Sequence, residues 1–203
     1  CRAAHLSIWT VRDNHMHALV SLHNAVFNLI ERAGNWLLPL AARFTFAAVL
    51  LVYYWNSGLT KLGDGFFGLF SPSVGAYAQI FPKQFEAVGY DASQLGLFHW
   101  LVVLAGTWAE FILPVLVVIG LFTRLASLGM IGFVTMQSLT DVYGHGQADA
   151  KTLGSWFDGL PDSIILDQRL FWVFLLLFLV IKGGGALSAD RLLLKRRPVP
   201  LAA

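Results

Sequence analysis

A single cysteine, Cys1, stands in a chain of 203 residues, and charged side chains are scarce. One cysteine excludes an internal disulfide, a Cys-X-X-Cys redox pair, a c-type haem attachment and a Cys-ligated iron–sulfur cluster. Any redox chemistry has to be borrowed from a bound molecule or a partner. Charged residues make up 13% of the chain, about half the usual share for soluble domains. With 57% hydrophobic residues and a mean hydropathy of +0.65, the composition is that of an integral membrane protein with one domain in the bilayer. Ser/His/Asp triads, phosphate-binding loops, zinc motifs, internal repeats and low-complexity tracts are also missing from the sequence. The net charge of +2 implies no nucleic-acid partner.

What is there is apolar and helical in length. Crossing roughly 30 Å of hydrocarbon takes about 20 residues. Four segments qualify: Arg43 to Lys61, about Leu97 to Leu121, Arg124 to Asp141, and "IILDQRLFWVFLLLFLVIK" ending at Lys182. The fourth has a short apolar core, Leu170 to Ile181, so Arg169 and Lys182 are expected to snorkel or to tilt the helix. The fold class is therefore all-α, a polytopic four-helix transmembrane bundle. Ahead of it, "HMHALVSLHNAVFNLIERAG" has apolar residues at roughly helical spacing and reads as an amphipathic helix on the membrane surface, docking lipid or a partner. Three parts follow: an amphipathic extension over 1–35, the bundle over 36–195, and a basic, proline-bearing tail over 196–203.

Basic residues favour the cytoplasmic side of short loops. Residues 1–43, the turn at Arg124 and the tail after Lys182 together hold ten cations, against four on the other side, where eight acids also lie. Both termini are expected to be cytoplasmic. A lipidated Cys1 would place all ten cations outside, so the missing methionine reads instead as an incomplete or processed start. The two loops on the acidic side differ. The first, after Lys61, is aromatic and punctuated by Gly and Pro, and should fold back as short helices capping the bundle; the second, after Asp141, is acidic and should project or meet another protein.

Inside the second span lies one carboxyl group, Glu110. Near the midplane an ionised carboxylate is disfavoured and a protonated one needs partners, so Glu110 must face other helices. Gln137 on the third span lies at similar depth, with Thr135 and Ser138 nearby; Asn56 and Lys61 come from the first span, nearer the outside. Two readings stand: interhelical glue through a neutral Glu110 bonded to Gln137 or a hydroxyl, or a proton-accepting, quinone-contacting carboxyl. Lys61 reads as an interfacial anchor or an attractor of an anionic substrate; Arg43 and Arg124 read as headgroup-binding residues that fix topology. No metal site is expected. His15, His17 and His23 face different ways, Gly144 and Gly146 interrupt the spacing of Asp141, His145 and Asp149, and a metal or b-type haem between His99 and His145 is a minor alternative.

The order and spacing of "R…SGLTKL" (Arg43, Gly58, Lys61), "AEFILPVLVVIGLFTRLAS" (Glu110, Gly120, Arg124) and "ALSADRLL" (Asp190) give the chain a resemblance to the DoxX family over roughly residues 40–195. That family includes membrane subunits of thiosulfate:quinone oxidoreductase. The resemblance implies a four-helix protein of the bacterial inner membrane, linked to electron transfer from a small, sulfur-containing reductant to quinone. No covalent cofactor is implied; quinone is the expected bound one, with Glu110 as the reactive carboxyl and Gln137, Asn56 and Lys61 around the quinone or substrate. Membrane lipids and other protein subunits are the expected partners. The alternative is a non-catalytic accessory subunit docked on a larger respiratory or photosynthetic membrane complex.

Overall fold

The computed structural model describes residues 2–195, with side chains described from His17 to Leu193, Ala18 apart. It is helical, in the order α1 (Arg2–Phe46), a π-helical turn (Ala47–Leu51), α2 (Val52–Leu59), α3 (Val74–Ile80), α4 (Pro82–Ala87), α5 (Leu97–Ile119), α6 (Thr123–Leu139), a second π turn (Thr140–Gly144), a third (Ile164–Arg169), α7 (Leu170–Lys182) and α8 (Ala189–Lys195). Four stretches are long and apolar enough to cross a membrane: Leu19–Leu59, Leu97–Ile119, Thr123–Gly144 and Ile164–Lys182. The protein is an all-α polytopic membrane protein.

The first span differs from expectation at its start. No helix boundary falls near Arg43; α1 passes through it unbroken. Gly34 and Pro39 are the helix breakers in this region, and neither ends the helix. Pro39 removes a single ladder donor, the one that would serve the carbonyl of Asn35, and helices in apolar surroundings tolerate such a loss. By backbone contacts the chain divides into Cys1–Leu38 and Pro39–Ala203. In the first unit the described side chains are almost all exposed, Leu19, Leu22, Phe27 and Ile30 among them.

In the second unit, α6 packs on both α5 and α7, and α2 on α5. The core runs through Phe46, Leu50, Tyr54, Val117, Met130, Val134, Leu176 and Leu179. Close approach depends on glycine at two of these contacts. A Cβ on Gly58 would lie 2.6 Å from the ring of Phe111, and one on Gly129 3.1 Å from Leu113. The first long loop does fold into short helices: α3 and α4 bury Ala76, Tyr77 and Phe85 against Val103 of α5. This second cluster closes the long-loop end of the bundle, opposite the tight α5–α6 turn.

That turn is built around Arg43. α5 ends at Gly120 (φ 72°), whose amide bonds Leu116 O, with Leu121 N also reaching Leu116 O at 3.0 Å. A Cβ on Gly120 would lie 2.9 Å from Arg43 Cζ, so both φ and space require glycine. Phe122, at φ 48°, is a strained non-glycine position. Asp190 holds it: its carboxylate accepts from Phe122 N (2.7 Å), Thr123 N (2.9 Å) and the Thr123 hydroxyl (2.8 Å), capping α6.

Candidate functional site

Ser57 and Lys61 are four residues apart at the end of α2, so they share a face. Glu110 projects toward them from the middle of α5. Lys61 Nζ lies 3.0 Å from each carboxylate oxygen of Glu110, 2.8 Å from Ser57 Oγ and 3.2 Å from Ser57 O. The Ser57 hydroxyl donates to Glu110 Oε1 at 3.0 Å. Glu110 and Lys61 are 4% and 5% exposed. An isolated charge at this depth would be costly; an ion pair with a hydroxyl bridging it is the arrangement that keeps a carboxylate there.

The partner of Glu110 is thus Lys61 and not Gln137, the partner that depth suggested. Glu110 lies ten residues before the Gly120 cap, whereas Gln137 lies fourteen beyond the start of α6 at Thr123. On antiparallel helices that leaves an offset of about 6 Å. Gln137 is instead held by two tyrosines of α2: its Nε2 donates to the Tyr53 hydroxyl at 2.9 Å and its Oε1 accepts from Tyr54 at 3.5 Å. Asn56 is exposed and lies outside the site, one residue and therefore about 100° around the helix from Ser57. Lys61 is no interfacial anchor, since its ammonium is turned inward and fully engaged.

The pair forms part of the wall of a cavity of about 970 Å³ between α2, α5 and α6, roofed by the α3–α4 segment. Tyr53, Ser57, Lys61, Glu110 and Gln137 supply polar groups, and Ala105, Gly106, Ala109, Gly129 and Gly132 supply room. A Cβ on Gly132 would meet nothing within 4 Å. Asp141 and His145 line the long-loop end. Volume, apolar lining and a few convergent polar groups are the ordinary features of a small-molecule site.

Two arginines expected at the membrane interface are buried. Arg43 is turned inward onto backbone carbonyls. Its guanidinium donates to the carbonyls of Val117, Val118, Gly184 and Leu187, the shortest bond being 2.6 Å to Val118 O. Arg43 thereby ties α1 to the end of α5 and to the segment after α7. Arg169 does not snorkel: it forms a 2.7 Å ion pair with Asp141 and a 2.9 Å bond to Ser138. Its Nε is buried without a hydrogen-bond partner among the described residues. Arg124 is exposed beside Gly183, where a headgroup can reach it.

The histidine alternatives do not assemble. His145 Nε2 lies 3.1 Å from the carbonyl oxygen of Gln79, and His99 packs between the rings of Phe81 and Phe98. Asp141 is engaged with Arg169, and Asp149 with the amides of Lys151 and Thr152. Among the described residues no group of three His, Cys, Asp or Glu could hold a metal ion. Cys1, the side chain of His15 and the tail from Arg196 lie outside the described residues.

Sequence reasoning missed Ser57, the inward turn of Arg169 and the cap from Asp190. The Ser57–Lys61 spacing was a usable signal, because a single intramembrane acid calls for a cation on a facing helix.

Comparison with curated proteins and with solved structures returns no match. The sequence profile of the DoxX family matches residues 38–140, just over half of the chain, and that segment contains Ser57, Lys61, Glu110 and Gln137. The chain therefore belongs to the DoxX family.

Proposed function

We propose that this chain is the quinone-handling subunit of an electron-transfer system in the bacterial inner membrane, with both termini cytoplasmic and a small, sulfur-type reductant as the source of electrons. One observation carries the reading: a hydrogen-bonded Lys61–Glu110 ion pair is set into the wall of a cavity of about 970 Å³, lined by apolar side chains and a set of polar groups, within the membrane-spanning helices. A purely structural pair has no need of open space beside it.

The residues present fit a quinone. Gly132 leaves a face that even a methyl group would begin to fill, and Glu110 retains acceptor capacity toward the cavity. A quinone bound there supplies a two-electron, two-proton couple. Reduction of a bound quinone takes up two protons, and Glu110 is the side chain that would relay them from solvent to the ligand oxygen, returning each time to the carboxylate. Lys61 holds that carboxylate in place and balances its charge, and Ser57 bridges the two. Gln137 fixes the Tyr53 hydroxyl on the same wall. The flanking apolar helix faces keep bulk water from the carboxylate.

The test is purification in mild detergent with mass spectrometry of bound quinone. Wild-type protein should retain quinone in near-stoichiometric amount. Gly132→Leu, which fills the cavity without an existing clash, should lose it while remaining monodisperse. Wild type without quinone, or Gly132→Leu with undiminished quinone, would overturn the assignment. The accessory-subunit reading draws on the exposed apolar side chains of residues 19–38; a large complex copurifying with protein that reduces no quinone would favour it.

A further inference from the structure

The donors and acceptors around the Lys61–Glu110 pair set what the cavity can select. The Lys61 ammonium has three N–H groups and four acceptors within 3.2 Å, so it has nothing left to give a ligand. The Ser57 hydroxyl hydrogen goes to Glu110. The carboxylate of Glu110 offers about four acceptor sites. Three are used, one by Ser57 and two by Lys61, which leaves one acceptor and no donor. On the same wall, the Tyr53 oxygen accepts from Gln137 at 2.9 Å, and its own hydrogen has no acceptor among the described residues. The Tyr53 side chain, though 42% exposed, lines the cavity and makes an edge contact with Tyr54 (5.0 Å between centroids) and a tilted one with Trp172 (5.7 Å), which places that spare donor on the cavity wall.

A ligand matched to this wall brings a hydrogen-bond donor to Glu110 and an acceptor to Tyr53. An oxidised quinone has two carbonyl acceptors and no donor. Its carbonyl would meet the lone pairs of Glu110, an unmatched contact in a desolvated site. The quinol has hydroxyls that can do both. Resting on the quinone reading above, we propose that the cavity discriminates by redox state and binds the quinol in preference to the quinone, with Glu110 as the discriminating residue and Tyr53 as a contact common to both forms. Preferential binding of the reduced form raises the midpoint potential of the bound couple. That makes the bound quinone a better electron acceptor than the free one.

One hydrogen bond to a charged acceptor changes affinity by about tenfold or more. For a two-electron couple, tenfold corresponds to about 30 mV. The experiment uses the full chain in lipid nanodiscs and three probes: a short-chain benzoquinone, its quinol kept anaerobic, and the quinol's dimethyl ether, in which methyl groups replace the two donor hydrogens. Binding is read by quenching of tryptophan fluorescence. The quinol should bind about tenfold more tightly than either the quinone or the ether. Tyr53→Phe should weaken quinone and quinol by similar factors and leave the preference intact. Glu110→Gln, whose amide can donate, should compress it. Quinone or ether binding as tight as quinol in the wild-type protein would refute the discrimination while leaving a quinone site standing. Failure of all three probes to bind would refute the quinone reading and this inference with it. Because the ether and Tyr53→Phe comparisons need no change at Glu110, they decide the matter even if Glu110→Gln folds poorly.

Discussion

Breaking the Lys61–Glu110 pair from either side should cost far more than removing it whole. Each side chain is about 5% exposed, so deleting one partner strands the other charge in a desolvated wall. Such losses run to about 3–5 kcal/mol, whereas replacing both members of a buried pair by apolar residues of similar volume is often neutral or better. Glu110→Leu and Lys61→Met should therefore each lower stability by about 3–5 kcal/mol. The double variant should be far more stable than the sum of the two losses predicts, with a coupling energy of about 3 kcal/mol or more. Part of the cost returns because the Ser57 hydroxyl loses its acceptor, which makes a fully neutral double variant an upper limit. Glu110→Gln, which keeps an acceptor for Ser57 and Lys61, should fall between wild type and Glu110→Leu. The assay is unfolding in mixed micelles, followed by tryptophan fluorescence and by size-exclusion behaviour. Single variants within about 1 kcal/mol of wild type, or strictly additive effects, would mean that the pair is solvated and refute the reasoning from burial.

Arg43→Ala leaves four carbonyls without their donor and should destabilise by about 3 kcal/mol; Arg43→Lys should recover less than half, since a point charge cannot reach all four. Thermal unfolding of the pair of variants checks this, and equal rescue by Lys would refute the fork geometry. Asp190→Ala uncaps α6 and should cost about 1–2 kcal/mol, read in the same way. In the second long loop, hydrogen bonds from Thr152, with a further one from Lys151, hold the Asp149 carboxyl below its ordinary value. A depressed carboxylate contributes order above its unfolded pKa and loses it as pH falls through the folded one. Protection of the Lys151 and Thr152 amides, measured against the intrinsic exchange rate at each pH, should hence fall only below the usual aspartate range, and Asp149→Asn should show reduced protection already at neutral pH.

The four apolar crossings were legible because hydropathy is a property of sequence windows, and the lipid-facing surface is large enough to dominate those windows. The direction in which a charged side chain turns is not. Arg43, Lys61 and Arg169 each stand at the edge of an apolar run, where the positive-inside tendency and snorkelling both place them at the interface. All three are buried, because each has an acceptor that no one-dimensional window contains: carbonyls after α7 for Arg43, Glu110 for Lys61, Asp141 for Arg169. Glu110 was recognisable as interior from its surroundings alone, yet its partner was misassigned. Depth counted from span ends pointed to Gln137, and a shift of about 6 Å decided against it. The start of the first helix escaped for a related reason. Arg43 looked like a boundary only while it was taken to be solvated.

The three buried cations also separate structure from function. Arg43 has four of its five N–H groups committed to backbone carbonyls at the short-turn end, where Asp190 closes the same corner. Arg169 joins the third π turn to the end of α6 and keeps one buried N–H unpaired, but it lies behind Asp141 and does not line the cavity. Lys61 has as its partner a carboxylate that borders open volume in the middle of α5, whereas Asp141, the partner of Arg169, borders the same cavity at its long-loop end. A chain that needed Glu110 only to hold α2 against α5 could have closed that volume with larger side chains, as it does where Phe111 fills the space at Gly58. Instead the wall that holds Glu110 includes Ala105, Gly106, Ala109, Gly129 and Gly132. The void and the charge at its edge are what support the proposed chemistry at this site, while Arg43, away from the void, serves assembly.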